Sequence, residues 1–250
     1  MIFRSILGAA GAWSVFVGYL LAFDPQLRWA YAFSGSIDDT MARFGKCLSR
    51  SIRAGLCSLQ VKGRENLPEH GGYIVVGNHQ SLVESFVPLY ELRALHPRYI
   101  AKKELGRWLP AISFALRSGG HYLIDRKDHE GALQKISALG RQVAEGEVSA
   151  IIFPEGTRSL EGDLQHFKKG GLLALLGSAP QADVLPMVVH NGHKIFPKGL
   201  PRVEAGAKVT LSFLPVLKRS DFADNEALIE TLHNLMAKTH ADLEAADSRR

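Results

Sequence analysis

Beyond Leu59 the chain alternates short β-branched runs with stretches that repeat apolar residues at the α-helical period, and this alternation confines it to helices packed on a sheet. Seven segments have strand character: 59–62, 73–77, 98–101, 121–124, 150–153, 184–189 and Lys208–Phe213. Between them, 128–145 puts Ala132, Leu133, Ile136, Leu139 and Val143 on one helical face, and 226–243 does the same with Leu228, Leu232, Leu235 and Met236. The fold class expected is α/β, with a mainly parallel central sheet flanked by helices. A chain of 250 residues, 46% hydrophobic, has apolar material for one such core. No internal repeat or low-complexity linker divides it, and 245–250 reads as a frayed polar tail. The one change of composition falls near Leu59, so the expected division is a helical segment over 1–58 and an α/β domain over 59–246.

The first segment has its own constraint. Residues 6–23 carry no charge, follow Arg4 and precede Asp24-Pro25, a run long enough to cross a bilayer or to lie deep in one leaflet. A secretory signal has a similar basic start and apolar run. The length here and the bulky Leu21-Ala22-Phe23 where small residues would mark cleavage favour a retained anchor. Trp29 and Tyr31 beside Arg28 suit the headgroup depth of a membrane interface. A second helix is expected over 37–59, with Arg43, Lys46, Arg50 and Arg53 among apolar residues. It reads equally as a helix resting on an anionic membrane surface and as a packed helix with a solvated basic face.

Charge and composition narrow the chemistry. Thirty Lys+Arg against 25 Asp+Glu give a net charge of +5 and favour encounters with anionic membranes or phosphorylated ligands. Nucleic acid is not an expected partner, since no helix-turn-helix, zinc-finger or aromatic RNA-binding pattern is present. Cys47 and Cys57 lack metal-ligand spacing and read as structural thiols. His190 and His193 belong to no H-E-x-x-H or Cys/His cluster, so no metal site is expected.

Two segments carry the candidate chemistry. In 72–79 a buried strand ends in polar residues, which puts His79 at the carboxyl end of a strand and ahead of a helix starting near Ser81. Glu84 has two readings. It can accept a hydrogen bond from the far ring nitrogen of His79, fixing the tautomer of a general base. Alternatively Ser81-Leu82-Val83-Glu84 is a capping box, with the carboxylate turned back to the Ser81 backbone N–H. In the second segment, strand 150–153 leads into Pro154-Glu155-Gly156-Thr157, a turn that lets Thr157 and Arg158 face the same strand-end cleft. Arg158 supplies a planar fork matched to phosphate oxygens, unless Glu155 or Glu161 ties it into a loop salt bridge.

The order of these blocks resembles the glycerolipid acyltransferases. Asn78-His79-x4-Glu84, then Gly120-His121-Tyr122-Leu123-Ile124-Asp125-Arg126, then Phe153-Pro154-Glu155-Gly156-Thr157-Arg158, then Val184-Leu185-Pro186 match the family's four blocks over roughly 59–214. Lys102-Lys103-Glu104-Leu105 and Phe167-Lys168-Lys169-Gly170 are similar to its flanking basic segments. Within the family, the chain most resembles the 1-acyl-glycerol-3-phosphate acyltransferases. The resemblance implies that His79 is the general base and Glu84 its partner. It further implies that Arg126, Glu155, Gly156 and Arg158 hold a phosphorylated acceptor, with Lys103 assisting and Lys168 a weaker candidate. Direct transfer from an acyl thioester, either acyl-CoA or acyl-acyl carrier protein as co-substrate, is implied, with no cofactor and at the cytoplasmic face of the inner membrane. Direct transfer also fits the lack of a G-x-S-x-G elbow or a Cys-His pair. One departure stands out: the family's first block usually ends in aspartate, and here it ends in Glu84, one methylene longer, which keeps open two alternatives to a 1-acyl-glycerol-3-phosphate acyltransferase: transfer to another lysolipid (a lyso-aminolipid or lysophospholipid) and a membrane lipid-binding relative without turnover.

Overall fold

A computed structural model describes residues 2–199 and 201–249. Seven strands form one sheet in the order β1-β7-β6-β2-β5-β3-β4: β1 (Ser58–Lys62), β2 (Ile74–Gly77), β3 (Pro97–Lys102), β4 (Tyr122–Ile124), β5 (Ser149–Ile152), β6 (Val184–His190) and β7 (Lys208–Phe213). Every pairing is parallel except β6 with β7. All seven expected strands form, each within one or two residues of the limits read from sequence.

The sheet is covered on both faces, which explains why its central strands read as unbroken apolar runs. β2, β5 and β6 are buried at every residue, and their alternate side chains enter two different cores. Val75, Ile151 and Leu185 join the core under α1 (Ile2–Ser34), α2 (Asp38–Leu48) and α4 (Val83–Glu91). Ile74, Val76, Ala150, Ile152 and Val184 join the core under α6 (His129–Ala144), α7 (Lys169–Ser178) and α8 (Asn225–Ser248). α6 and α8 are the two helices foreseen from periodicity, each capped by an aspartate: Asp128 Oδ1 accepts from Gly131 N–H and Asp224 Oδ1 from Ala227 N–H.

Three helical expectations need correction. The stretch 37–59 is not one helix: α2 ends at Leu48, α3 (Arg50–Ala54) follows, and Leu59 already lies in β1. Ser49 Oγ donates to Lys46 C=O and Ser51 Oγ to Leu48 C=O, local bonds that compete with a continuous ladder. Leu56 then takes φ 58°, which stops helical propagation. Met41, Phe44, Leu48 and Ile52 are buried while Arg43, Lys46, Arg50 and Arg53 remain exposed, so the pair packs on the domain and keeps a basic outer face. The tail is likewise ordered as helix through Ser248, and Arg250 lies outside the described residues. Finally, the helix after β2 starts at Val83 instead of near Ser81.

The apolar N-terminal run forms the first part of α1, a 33-residue helix long and apolar enough to cross a membrane by length and composition. It continues past Pro25, where Asp24 accepts from Ala111 N–H at 2.7 Å and from Arg28 Nε at 2.8 Å. One stripe, Gly8, Ala12, Phe16, Leu20, Phe23 and Leu27, is buried in the same core as β2 and α4. Phe16 meets Phe86 and Phe196, and Phe23 meets Phe44. The packed stripe is about 30 Å long at 1.5 Å per residue. The opposite face leaves Ile2, Phe3, Ile6, Leu7, Val17, Leu21, Trp29, Tyr31 and Phe33 exposed.

Candidate active site

Because β2, β5, β3 and β4 are adjacent and mutually parallel, the residues following each of them emerge along one edge of the sheet. His79 lies two positions past β2, Glu155 to Arg158 follow β5, Lys103 follows β3, and Arg126 lies two positions past β4. The sheet topology thus brings the separated sequence blocks together.

His79 is held on three sides. Its Nδ1 lies 2.7 Å from Glu84 Oε1, and its ring stacks on Phe153 at 4.5 Å with 12° between planes. Ser159 N–H donates to its backbone carbonyl at 2.8 Å. Gly77 makes the stacking possible, since a Cβ there would lie 3.0 Å from a Phe153 ring carbon and 2.7 Å from the Met187 methyl. Next to His79, the Asn78 amide extends the sheet: its Nδ2 donates to Val189 C=O at 2.8 Å and its Oδ1 accepts from Val189 N–H at 2.7 Å.

The two contacts expected of Glu84, to the His79 ring and back to the Ser81 N–H, form together. Its side chain is 0% exposed. Oε1 accepts from Gln80 N–H and Ser81 N–H at 2.6 Å each and faces His79 Nδ1, while Oε2 accepts from Ser81 Oγ at 3.0 Å. An oxygen that already accepts from two backbone amides is matched only by a ring donor, so Nδ1 carries the proton and Nε2 keeps its lone pair. The longer glutamate arm reaches the imidazole from inside the helix, and the same carboxylate gathers the two backbone amides that lead into it, while Ser81 Oγ accepts from Val83 N–H at the helix start.

The second block is built against this one. Glu155 is 2% exposed, and neither carboxyl oxygen closes a well-formed hydrogen bond, although the backbone amides of His79 and Gln165 lie close enough to offset part of the cost of burial. Burial first, and then the nearby Glu84 charge, push its carboxyl up to about 8. Its folded-state value lies above the unfolded one, so the folded protein holds the extra proton and stability falls as pH rises from the ordinary carboxylate range toward 8. Glu155→Gln should match the native protein in thermal unfolding near pH 4 and melt higher than it near pH 8. Equal melting at both pH values would refute this.

Gly156 turns the chain at φ 70°, and a Cβ there would meet the Lys168 side chain at 3.3 Å. Arg126 reaches across from β4 and donates to Gly156 C=O at 2.5 Å. The Thr157 hydroxyl accepts from Lys198 Nζ at 2.9 Å. Arg158 is half-buried and makes no salt bridge or side-chain hydrogen bond among the described residues, so neither Glu155 nor Glu161 ties it down. Burial pulls its guanidinium below the usual arginine value, opposed by the Glu84 charge. Lys103 pairs with Asp125 at the β4 exit.

Two residues of this edge were not singled out from sequence. Gln80 is fully buried; its Nε2 donates to Gly162 C=O at 2.5 Å, and its Oε1 accepts from Gly192 N–H at 2.8 Å, linking the first block to the loop beyond Arg158 and to the β6 exit. Lys198 comes from a loop with no motif, and no local signal marked it. His121, in the second block, is structural: its Nδ1 accepts from Tyr99 N–H, and burial lowers its ring to about 3, keeping it neutral. A polar cleft of about 480 Å³ is lined by His190, His193, Lys208, His240 and Asp247, with His240 Nε2 3.3 Å from Gln80 Nε2; neither His79 nor Arg158 borders it, and the candidate chemistry follows the paired groups instead.

The sequence profile of the acyltransferase family matches residues 58–190, more than half of the chain and the span of this edge. The chain belongs to the acyltransferase family. Among curated acyltransferases it is similar to 1-acyl-sn-glycerol-3-phosphate acyltransferase of Limnanthes alba, 30% identical over 72% of this chain and 62% of the relative. It is similar to the human beta form, 30% identical over 72% of this chain and 64% of the relative, and to that of Borreliella burgdorferi, 27% identical over 77% and 75%. The chain spans from about half to under two thirds of the length of the first three curated plant relatives it matches. Its fold is that of the crystal structure of the 1-acyl-sn-glycerophosphate acyltransferase from Thermotoga maritima, with a TM-score of 0.80, 24% identity and 97% coverage of both chains.

Proposed function

We propose that this acyltransferase moves a fatty acyl group from an acyl thioester to the free hydroxyl of 1-acyl-glycerol-3-phosphate, giving phosphatidic acid. The observation that carries the reading is the 2.7 Å contact of His79 Nδ1 with buried Glu84, which leaves Nε2 as a base beside the Arg158 turn. Nε2 takes the hydroxyl proton as the oxygen attacks the thioester carbonyl, the C–S bond breaks, and the imidazolium returns the proton to the departing thiolate. Glu84 fixes the tautomer and stabilises the imidazolium. Arg158, with no side-chain partner among the described residues, is available to the acceptor's phosphate, while Arg126, Lys168 and Lys198 brace the surrounding turn and add positive field. Lys103 is a further phosphate contact once released from Asp125. The named activities of the relatives support this acceptor, and acyl-CoA or acyl-acyl carrier protein is the co-substrate; no cofactor is required.

Residues 1–58 are the membrane-associated segment and 59–246 the catalytic domain. α1 is packed along the domain through its buried stripe, so the helix lies in one leaflet with its bare face toward lipid and the catalytic edge on the cytoplasmic side. Each acyl CH2 left in water costs about 0.8 kcal/mol, which favours keeping the lysolipid in the bilayer during reaction.

Turnover of a lysolipid panel by purified protein in vesicles, with both thioester carriers, tests the assignment. The phosphomonoester should be preferred, and Arg158→Ala should raise its KM roughly 10- to 100-fold, the weight of a charged hydrogen bond, with kcat less affected. A native preference for acceptors without the phosphomonoester would overturn the acceptor assignment.

A further inference from the structure

The segment joining β3 to α5 (Ile112–Ser118) presents Trp108 at its tip, 94% exposed, flanked by exposed Leu105 and Leu109. This is not slack chain. Trp108 has φ 70° and Ala111 φ 57°, left-handed values that side chains other than glycine adopt under constraint. The constraint is visible: Ser113 Oγ accepts from Leu109 N–H at 2.9 Å and donates to Leu105 C=O at 3.0 Å, Arg117 donates to Gly106 C=O, and Ala111 N–H is held by Asp24 of α1. A scaffold of polar bonds thus holds the largest apolar side chain of the loop in water.

The same bonds make the loop continuous with the bare face of α1. Arg28 lies over the Phe114 ring at 4.7 Å, Tyr31 meets Phe114 edge-on at 5.9 Å, and Trp29 packs tilted against Phe33 at 4.1 Å with both exposed. Exposed Lys102, Lys103 and Arg107 border the tip. Lys102 is paired with Glu104 and Lys103 with Asp125, while Arg107 has no acidic partner among the described residues. Aromatic rings beside basic side chains suit the headgroup layer of an anionic bilayer, where an indole has one apolar and one wet side. We infer that the Leu105–Trp108–Leu109 tip is a second membrane-inserting element, independent of α1 in sequence, which seats the β3 exit and Lys103 at headgroup level where the lysolipid enters. The inference rests on the membrane-associated reading above and extends it to a defined loop.

In the full chain, Trp13→Phe with Trp29→Phe leaves Trp108 as the sole indole. Its emission should shift to the blue on adding phosphatidylglycerol vesicles and be quenched by brominated acyl chains. Unquenched emission with bound protein would overturn the proposal. In the otherwise native chain, Trp108→Ser should weaken vesicle binding roughly ten-fold or more, the effect of losing one large buried side chain, and Trp108→Phe should restore most of it. Trp108→Ser should raise KM for a long-chain acceptor in vesicles and leave turnover of a water-soluble short-chain acceptor unchanged; equal losses on both would make the tip part of the reaction site and overturn its role at the membrane. Vesicle binding is read without turnover, so failure of the acyl-transfer reading leaves this test intact.

Discussion

His79→Ala should lower kcat by on the order of 10²- to 10⁴-fold, the range a positioned general base contributes, with acceptor KM little changed. The ring makes one hydrogen bond and one stacking contact, while the segment's position rests on the Asn78 amide, the Gln80 side chain and the His79 carbonyl, none of which the substitution removes. Circular dichroism and melting should therefore stay near native while rapid-quench assays show the chemical step lost. A variant retaining native turnover would end the assignment of the base.

Glu84→Gln should separate two functions that one carboxylate performs. The amide oxygen can still accept from the Gln80 and Ser81 N–H groups, and its NH2 can donate to Ser81 Oγ, so the helix start survives. The negative charge facing the imidazole is gone. An orienting acid changed to its amide at constant geometry loses the stabilisation of the imidazolium, and kcat should fall by roughly 10²- to 10⁴-fold. Melting within a few degrees of native together with unchanged kcat would mean that Glu84 only caps the helix. Collapse of folding would instead mean that the cap needs the charge; Glu84→Asp, which keeps the charge on a shorter arm, then reports the catalytic role through its kcat.

Much of this architecture was legible in the sequence because its determinants are local. The central strands β2, β5 and β6 are short apolar runs and the outer ones short β-branched or alternating runs, and the blocks at their exits keep their order. What was not legible depends on contacts made across the chain. The single helix expected over 37–59 breaks because serines bond to their own helix carbonyls, whereas α1 continues through Pro25 because burial of Leu27 and the Asp24 contacts outweigh the lost N–H. Spacing alone set the capping box against the dyad at Glu84; only coordinates show one oxygen receiving ring and backbone together. Gln80 and Lys198 join segments about 80 and 40 residues distant respectively, and no local pattern records such partners.

The strand order also acts as a ruler. Neighbouring strands stand about 4.8 Å apart, so the exit of β5 lies one interval from the exit of β2, while those of β3 and β4 lie two and three intervals away. One interval is comparable to the separation of a free hydroxyl and a phosphoryl group on adjoining carbons of a three-carbon backbone. On the proposed acceptor, that separation would be met by loops rooted on neighbouring strands, and a headgroup extended beyond the phosphorus leaves it unchanged.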